Sequence, residues 1–385
     1  MAKKILIFST AYYPFVGGAE VAVKEITDRT PDIEFHLLTA KMDKKLPQQE
    51  KIGNVTVFRA GIGHPMVDKL FLAFLGYWIA KKLHKQNNYD LIWSVMASYA
   101  GLAASKFKRV NPNIPFILTL QEGDSQEHIQ KRTKFIKKQF SNIFKRADHI
   151  QCISSYLAKW AKESGAKCSI DIIPNGVDLE NFTQKSSKSD LKKLEDELGK
   201  LPDDSFLIHT GRLTHKNGLE DLIKSLTYLP GNIKLLLIGR GEDEGNLKKV
   251  IIERNLAERV KFLGFVDHKE IPKYLNVSDI FIRPSFSEGL GNSFLEAMVA
   301  KIPVIATPVG GIPDFLVDKE TGLFCKVQDS ESIAEKVKFL ANNPDFKDKI
   351  VQQAYQMVID NYDWNNIAKD MQEKFFNKVF DLICK

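Results

Sequence analysis

Ile280-Phe-Ile-Arg283-Pro-Ser-Phe-Ser-Glu288-Gly-Leu-Gly-Asn-Ser-Phe-Leu-Glu296-Ala-Met298 is the stretch whose reading decides the fold. Its first four residues read as a short strand, Gly289 and Gly291 as a turn, and the run from Asn292 or Ser293 as a helix. A strand that turns through glycine straight into a helix is part of a parallel βαβ unit. The free N–H groups and positive end of that helix then face outward beyond the strand, a geometry that cradles a phosphate without a metal. Glu288 falls in the loop and Glu296 one turn into the helix. Ser293-x-x-Glu296 also fits a capping box, so a structural role for Glu296 stays open at this level.

Working outward, aliphatic runs alternate with helical patterns along all 385 residues. Strands are expected at 4–8, 34–38, 55–59, 90–95, 116–120 and 149–153, and again at 206–209, 234–238, 261–263, 280–283, 304–306 and 322–325. The fold class is therefore α/β, with two Rossmann-like, doubly wound parallel-sheet domains. We place an N-terminal domain at 1–183, a polar helix and linker at 184–204, and a C-terminal domain at 205–360. A final helical segment, 361–385, is expected to pack back across the domains. No G-x-G-x-x-G and no G-x-x-x-x-G-K-[ST] follows any expected strand, which removes the main support for a dinucleotide oxidoreductase or a P-loop NTPase. Gly239-Arg-Gly241 comes nearest and lacks the third glycine.

The composition, 44% hydrophobic and 27% charged, suits a globular chain of two domains and excludes disorder and collagen-like repetition. The net charge of +7 is lopsided. Residues 1–180 hold 26 basic and 17 acidic side chains, and residues 181–385 hold 29 and 31. Much of the excess lies in 128–146, where Lys131, Arg132, Lys134, Lys137, Lys138, Lys145 and Arg146 meet no acidic residue. Ile136, Phe140, Ile143 and Phe144 recur there at helical spacing, so this reads either as a basic amphipathic helix on an anionic membrane or as an ordinary helix with its apolar side in the core. Nucleic acid is not expected, because no binding motif accompanies the charge. The apolar run 70–80 is too short to span a bilayer. Flanked by Lys69, Lys81 and Lys82, it reads as a second lipid contact or a buried helix. Lys3 and Lys4 precede only a brief apolar run, so no secretory signal is read and the expected location is cytoplasmic, peripheral on the membrane face. Cys152, Cys168, Cys325 and Cys384 form no C-x-x-C pair, which indicates neither a disulfide framework nor a zinc site.

Glu288 and Glu296 enclose seven residues, and this resembles the E-x7-E signature of family 4 retaining glycosyltransferases. Gly17-Gly18-Ala19-Glu20, Ile173-Pro-Asn-Gly-Val-Asp178, Gly211-Arg212-Leu213, Phe262-Leu-Gly264 and Thr307-Pro-Val-Gly310-Gly311 match that family in order, and the resemblance covers nearly the whole chain. It implies the GT-B fold, two Rossmann-like domains facing a central cleft. It also implies a nucleotide diphosphate sugar as donor, a UDP- or GDP-sugar, with no cofactor and no metal. The chain contains no D-x-D, which agrees with charge neutralisation by Arg, Lys and a helix end.

The resemblance also assigns residues. Glu296 would hydrogen-bond the ribose hydroxyls and Glu288 would face the donor sugar, since a carboxylate accepts from a vicinal diol. Amides around Gly289, Leu290, Gly291 and Asn292 would hold sugar hydroxyls or phosphate oxygens, and Val266 would lie near the base. Arg212 and Lys216, beyond a strand end, suit a diphosphate leaving group. Asn217 stands where the family more often has Lys, and Lys216 takes that role by a one-residue shift. Gly17 and Gly18 allow close approach of backbone to the donor phosphate, though a plain turn would also use them. Gln121 stands in place of the family's usual His; it can hydrogen-bond the sugar but cannot act as acid or base. Glu122 and Asp124 are candidates for acceptor hydroxyls, or for a surface turn. The expected function is a retaining, metal-independent glycosyltransferase acting on a hydroxyl acceptor, a lipid-linked or membrane-proximal saccharide of the cell surface. A nucleotide-sugar epimerase of the same fold and a silent nucleotide-sugar binder are the alternatives.

Overall fold

The computed structural model describes residues 2–184 and 186–383, which leaves Cys384 outside. The chain divides into two compact units, Met1–Gly176 with Trp364–Lys385, and Val177–Asp363.

Unit 1 is built on an eight-stranded sheet. Its strands are β1 (Lys3–Phe8), β2 (Ile33–Ala40), β3 (Gln49–Ile52), β4 (Val55–Ala60), β5 (Leu91–Val95), β6 (Phe116–Leu120), β7 (His149–Cys152) and β8 (Ser169–Ile172). They lie in the order β3-β4-β2-β1-β5-β6-β7-β8. All pairs are parallel except β3 with β4. The aliphatic runs of β1, β5 and β6 are buried from end to end or nearly so, as strands covered by helices on both faces must be. The two edge strands, β3 (Gln-Glu-Lys-Ile) and β8 (Ser-Ile-Asp-Ile), are half polar and are absent from the expected set; an edge needs no apolar run. The order reverses beside β1, which pairs with β2 on one side and β5 on the other.

Unit 2 is built on a six-stranded parallel sheet in the order β11-β10-β9-β12-β13-β14. These are β9 (Ser205–Thr210), β10 (Ile233–Ile238), β11 (Val260–Gly264), β12 (Ile280–Arg283), β13 (Val304–Ala306) and β14 (Leu323–Phe324). All six coincide with expected strands. Here the order reverses between β9 and β12. In an open parallel sheet, the crevice at such a reversal, outside the carboxyl ends, is where ligands bind.

The structure differs from the sequence reading in several places. The chain passes from unit 1 to unit 2 at Gly176, so 184–204, read as boundary helix and linker, lies within unit 2 and includes the helix Lys188–Leu198. Val177 donates its N–H to Tyr362 at 2.7 Å, so the outgoing and returning strands of chain are tied side by side. From Trp364 onward the chain belongs to unit 1, because Trp364, Ile367, Met371, Phe375 and Phe376 bury themselves with Phe35 and Trp93 of its sheet. Residues 128–146 do not form one helix. They run from the helix Gln126–Thr133 through the 3-10 turn Lys134–Ile136 into the helix Lys137–Arg146. Ile143 and Phe144 are fully buried, with Phe144 edge-on to Trp160. The helix 137–146 thus spends Ile143 and Phe144 on the core, while Phe135, in the turn before it, is 94% exposed among the basic side chains. Among the described residues no helix is long and apolar enough to cross a membrane.

Candidate active site

In unit 2 four strand-end loops are tied to one another. After β9 the chain turns through Gly211 to the exposed Arg212 and the 3-10 turn His215–Asn217. After β12 it runs through Pro284–Gly291 into the helix Asn292–Val299. Asn217, buried to 1% exposure, joins the two: its Nδ2 donates to the Arg212 carbonyl at 2.6 Å, and its Oδ1 accepts from Arg283 Nη2 at 3.0 Å. The Phe286 N–H donates to the Lys216 carbonyl at 2.7 Å, and the Gly311 N–H, beyond β13, to the Glu288 carbonyl at 3.2 Å. Two glycines make this closeness feasible. Gly218 has φ +68°, and a Cβ there would lie 2.0 Å from the Pro284 carbonyl oxygen; Gly239 has φ +131°, and a Cβ there would lie 1.8 Å from that of Gly211. The Gly239-Arg-Gly241 pair thus serves backbone packing against the Arg212 loop.

Arg283 is the hub. Besides Asn217 it bonds Glu288 Oε2 through Nη2 and Ser293 Oγ through Nη1, the latter at 3.0 Å, while its guanidinium lies 5.5 Å from the centre of the Phe294 ring. Glu288 is buried, and its second oxygen accepts from the Gly289 N–H at 3.0 Å. So the first glutamate of the seven-residue spacing has its charge matched within its own loop. The capping box is not formed: the N-cap is Gly291, with no side-chain cap, and Ser293 faces Arg283. The Phe294 N–H donates back to the Gly291 carbonyl at 3.0 Å, and the N–H groups of Asn292 and Ser293 keep their capacity for an outside acceptor. Glu296 instead meets His268, Oε1 to Nε2 at 2.9 Å, which ties the turn after β11 to the helix. That hydrogen bond, with the charges of Glu296, Asp178 and Asp267, raises the His268 pKa against the opposing effect of burial. Val266 sits half-buried two residues before His268. Under Gly211 lies His209, fully buried and pushed down to about 3 by burial and by the charge of Arg283, so its ring is neutral.

Unit 1 arranges its own strand ends. Gly17 and Gly18, both exposed, open the helix Gly18–Asp28, and the Glu20 carboxylate accepts from the Gly17 N–H at 2.8 Å. Beyond β6, Glu122 turns inward. Its Oε1 accepts from the Ala97 N–H beyond β5 at 2.5 Å and its Oε2 from the Gln121 N–H at 2.9 Å. Burial pushes its pKa up to about 7; the charge of Asp124 adds to the rise, while the amides oppose it. Gln121 Oε1 accepts from Asn175 Nδ2 at 3.0 Å, which links the β6 loop to 173–178. Thr10 and Ser98 hydroxyls, 2.8 Å apart, close the β1 and β5 loops on each other. Asp124, whose charge reaches Glu122, is half-buried.

The structure thus gathers Arg212, Lys216, Glu288, Gly289, Leu290, Gly291, Asn292 and Glu296 on connected loops of unit 2. Leu290 contributes backbone only, because its side chain is buried. Gly17, Gly18, Gln121, Glu122 and Asp124 belong to strand ends of unit 1. Three participants escaped the sequence reading: Arg283, His268 and Asn175. Arg283 left a signal, a cation closing an otherwise apolar strand, and Asn175 lies within the 173–178 motif without a role assigned to it; His268 left none. Among the described residues no group of His, Cys, Asp and Glu is arranged to hold a metal.

Residues 190–357 match the family described as glycosyl transferases group 1, and residues 16–181 match glycosyltransferase family 4. An uncharacterized glycosyltransferase of Methanocaldococcus jannaschii is 27% identical over 89% of this chain and 90% of its own length. A putative teichuronic acid biosynthesis glycosyltransferase of Bacillus subtilis is 25% identical over 89% and 87%. Among solved structures, Anabaena HepE in complex with UDP-glucose superposes with a TM-score of 0.81 at 22% identity, over 97% of this chain and 99% of its own.

Proposed function

Because the chain belongs to the group 1 glycosyltransferases, with a family 4 N-terminal half, we propose that it is a retaining, metal-independent transferase acting on a nucleotide diphosphate sugar. The acceptor is a hydroxyl of a lipid-linked or membrane-proximal saccharide in cell-surface glycan synthesis. The observation that carries the donor half is the Arg283 network, which fixes Glu288, Asn217 and the Arg212 carbonyl beside an uncapped helix end at the β9/β12 reversal. The UDP-glucose held by Anabaena HepE supports a uridine nucleotide, and the teichuronic acid relative supports an envelope glycan.

In this reading the helix N–H groups with Arg212 and Lys216 bind the diphosphate, and Glu296 accepts from the ribose hydroxyls. The bond from the sugar's anomeric carbon to the phosphate oxygen breaks, and its electron pair leaves on the phosphate. The acceptor oxygen attacks from the same face, and its proton passes to that phosphate oxygen. Cations near the leaving oxygens stabilise the charge as it develops. Glu288 positions the sugar hydroxyls, and Gln121 donates a hydrogen bond without titrating. Since the phosphate takes the proton, the absence of a histidine at 121 does not stop turnover.

A thermal-shift screen of UDP, GDP, ADP and their sugars comes first, because a ligand that binds the folded state raises its apparent stability. Mass spectrometry of the chain with the stabilising donor, with and without a lipid extract, should then show a mass increase of one sugar on an extract component. Glu288→Gln, which keeps an acceptor oxygen for Arg283, should lose transfer by about a hundredfold or more while retaining nucleotide binding. Isomerised sugar without acceptor would make the chain an epimerase, and binding without either product a silent binder; each outcome overturns the proposal.

A further inference from the structure

The helix Pro65–Asn87 shows most of its large apolar side chains to solvent and packs its small residues, with Leu72 and Leu83, inside. Leu72, Ala73, Gly76, Ala80 and Leu83 are buried, and the helix Tyr99–Val110 comes so close that a Cβ on Gly76 would lie 3.2 Å from that of Ala103. Met66, Val67, Leu70, Phe71, Phe74, Leu75 and Trp78 are exposed, Phe74 to 55% and Trp78 to 57%. Their spacing, in pairs four residues apart, draws one stripe about 18 Å long, and Ile62 extends it at the start. A contiguous apolar surface of this kind marks an interaction site. The sequence alternative of a simply buried helix therefore does not hold.

The charges around the stripe choose its occupant. The one acidic residue of the helix, Asp68, is buried, with its carboxylate accepting from the N–H groups of Met42, Ile62, Gly63 and His64. The outer face continues past Trp78 with exposed Lys81, Lys82 and Lys85. The ammonium of Lys81 lies 5.8 Å from the centre of the Trp78 ring, and that of Lys106 4.8 Å from Phe74. A second copy of this helix would offer Lys81, Lys82 and Lys85 no carboxylate, because its one acidic side chain is buried. An anionic bilayer takes both halves at once, aromatic rings at the depth of the glycerol backbone and ammonium groups on phosphates.

We propose that this face is a membrane-docking surface of unit 1, lying in the plane of an anionic bilayer with the 66–78 stripe inserted and Lys81, Lys82 and Lys85 on the headgroups. It deepens the membrane-proximal part of the proposed function and rests on it only for its purpose. The nucleotide thermal shift is measured without lipid, so either reading can fail alone.

Trp78 makes the test direct, since the other three tryptophans, Trp93, Trp160 and Trp364, are buried. The full chain is mixed at low salt with vesicles of phosphatidylglycerol and phosphatidylcholine, and with vesicles of phosphatidylcholine alone. Expected are a blue shift and quenching by brominated acyl chains with the anionic vesicles, weakened by salt. Leu70→Ser/Phe74→Ser/Trp78→Ser should lower the partition coefficient about a hundredfold, read by sedimentation, with an unchanged melting midpoint. Lys81→Glu/Lys82→Glu/Lys85→Glu should lower it about tenfold or more and keep the aromatic reporter. Absence of quenching by brominated anionic vesicles would overturn the proposal. So would a lipid-free dimer that the triple serine variant dissolves, which would assign the face to a second copy.

Discussion

Glu122 in unit 1 and Glu288 in unit 2 both lie just beyond a parallel strand, and both are buried, yet their carboxylates meet opposite partners. Glu122 accepts only from backbone amides of neighbouring loops and, unmatched by a cation, titrates near neutrality. Glu288 is ion-paired with Arg283, which also holds Asn217 and Ser293. Neutral dipoles leave a buried carboxyl free to gain a proton, whereas a guanidinium holds the charge and ties several loops to one side chain. Glu296 stands between the two, because its partner His268 is a cation only while protonated.

The largest effect is expected at the hub. Arg283→Ala leaves Glu288 buried without a counter-charge, and breaking a buried pair from one side costs about 3–5 kcal/mol. Urea unfolding should show a loss of that size together with loss of nucleotide binding; a loss under about 1 kcal/mol would erase the contrast with Glu122. Glu122 itself should behave as a pH-dependent weak point. Its folded pKa is raised, from 4.5 to about 7, so the stability of the protonated form is complete below 4.5 and drains away as pH rises through 7. Relative to Glu122→Gln, the unaltered chain should lose about 3 kcal/mol between those pH values. Parallel urea titrations at pH 5 and pH 8 check it, and a constant difference would mean that the amides hold the carboxylate charged throughout.

How much of this was legible in the sequence follows from what a one-dimensional pattern can encode. The parallel sheets were, because strands covered on both faces must be apolar runs, as β1, β5 and β10 are. Edge strands β3 and β8 were not, since a strand with one neighbour can alternate or stay polar. The spacing of Glu288 and Glu296 placed both at the turn into one helix, but their partners Arg283 and His268 arrive from different loops and no spacing announces them. Periodicity also left the direction of an apolar face open. Phe144 turned into the core and Phe74 out to solvent, although both sit in basic, apolar stretches.

Asn217 tests whether unit 2 depends on the hub or on each link. It is buried and bridges the Arg212 carbonyl to Arg283, so Asn217→Ala removes one hydrogen bond from each of two groups that keep their other partners, Thr214 and Glu288, and should cost about 1–3 kcal/mol. The same substitution in the Arg283→Ala background should cost clearly less, because one of the two groups is already gone. Additive losses in this double-mutant cycle would show that the links act separately.

The smallest effect belongs to the switchable pair. Glu296 and His268 are bonded at 2.9 Å, but the His268 side chain is about half exposed, so the pair is worth less than about 1 kcal/mol. Its sign is opposite to the effect of a carboxylate with a lowered pKa. The folded His268 pKa is raised, so the added stability is complete below the unfolded value of 6.5 and is lost as pH rises through the folded value. His268→Gln should therefore be less stable than the unaltered chain at pH 5.5 and equal to it at pH 9. In the same window protonated His268 draws Glu296 toward itself, which competes with any ribose hydroxyl for that oxygen. Uridine diphosphate should then bind the His268→Gln chain with an affinity less dependent on pH than that of the unaltered chain. Identical pH profiles for both chains would mean that Glu296 bonds His268 without consequence for the nucleotide, and would leave unit 2 with one functional carboxylate pairing, the one through Arg283.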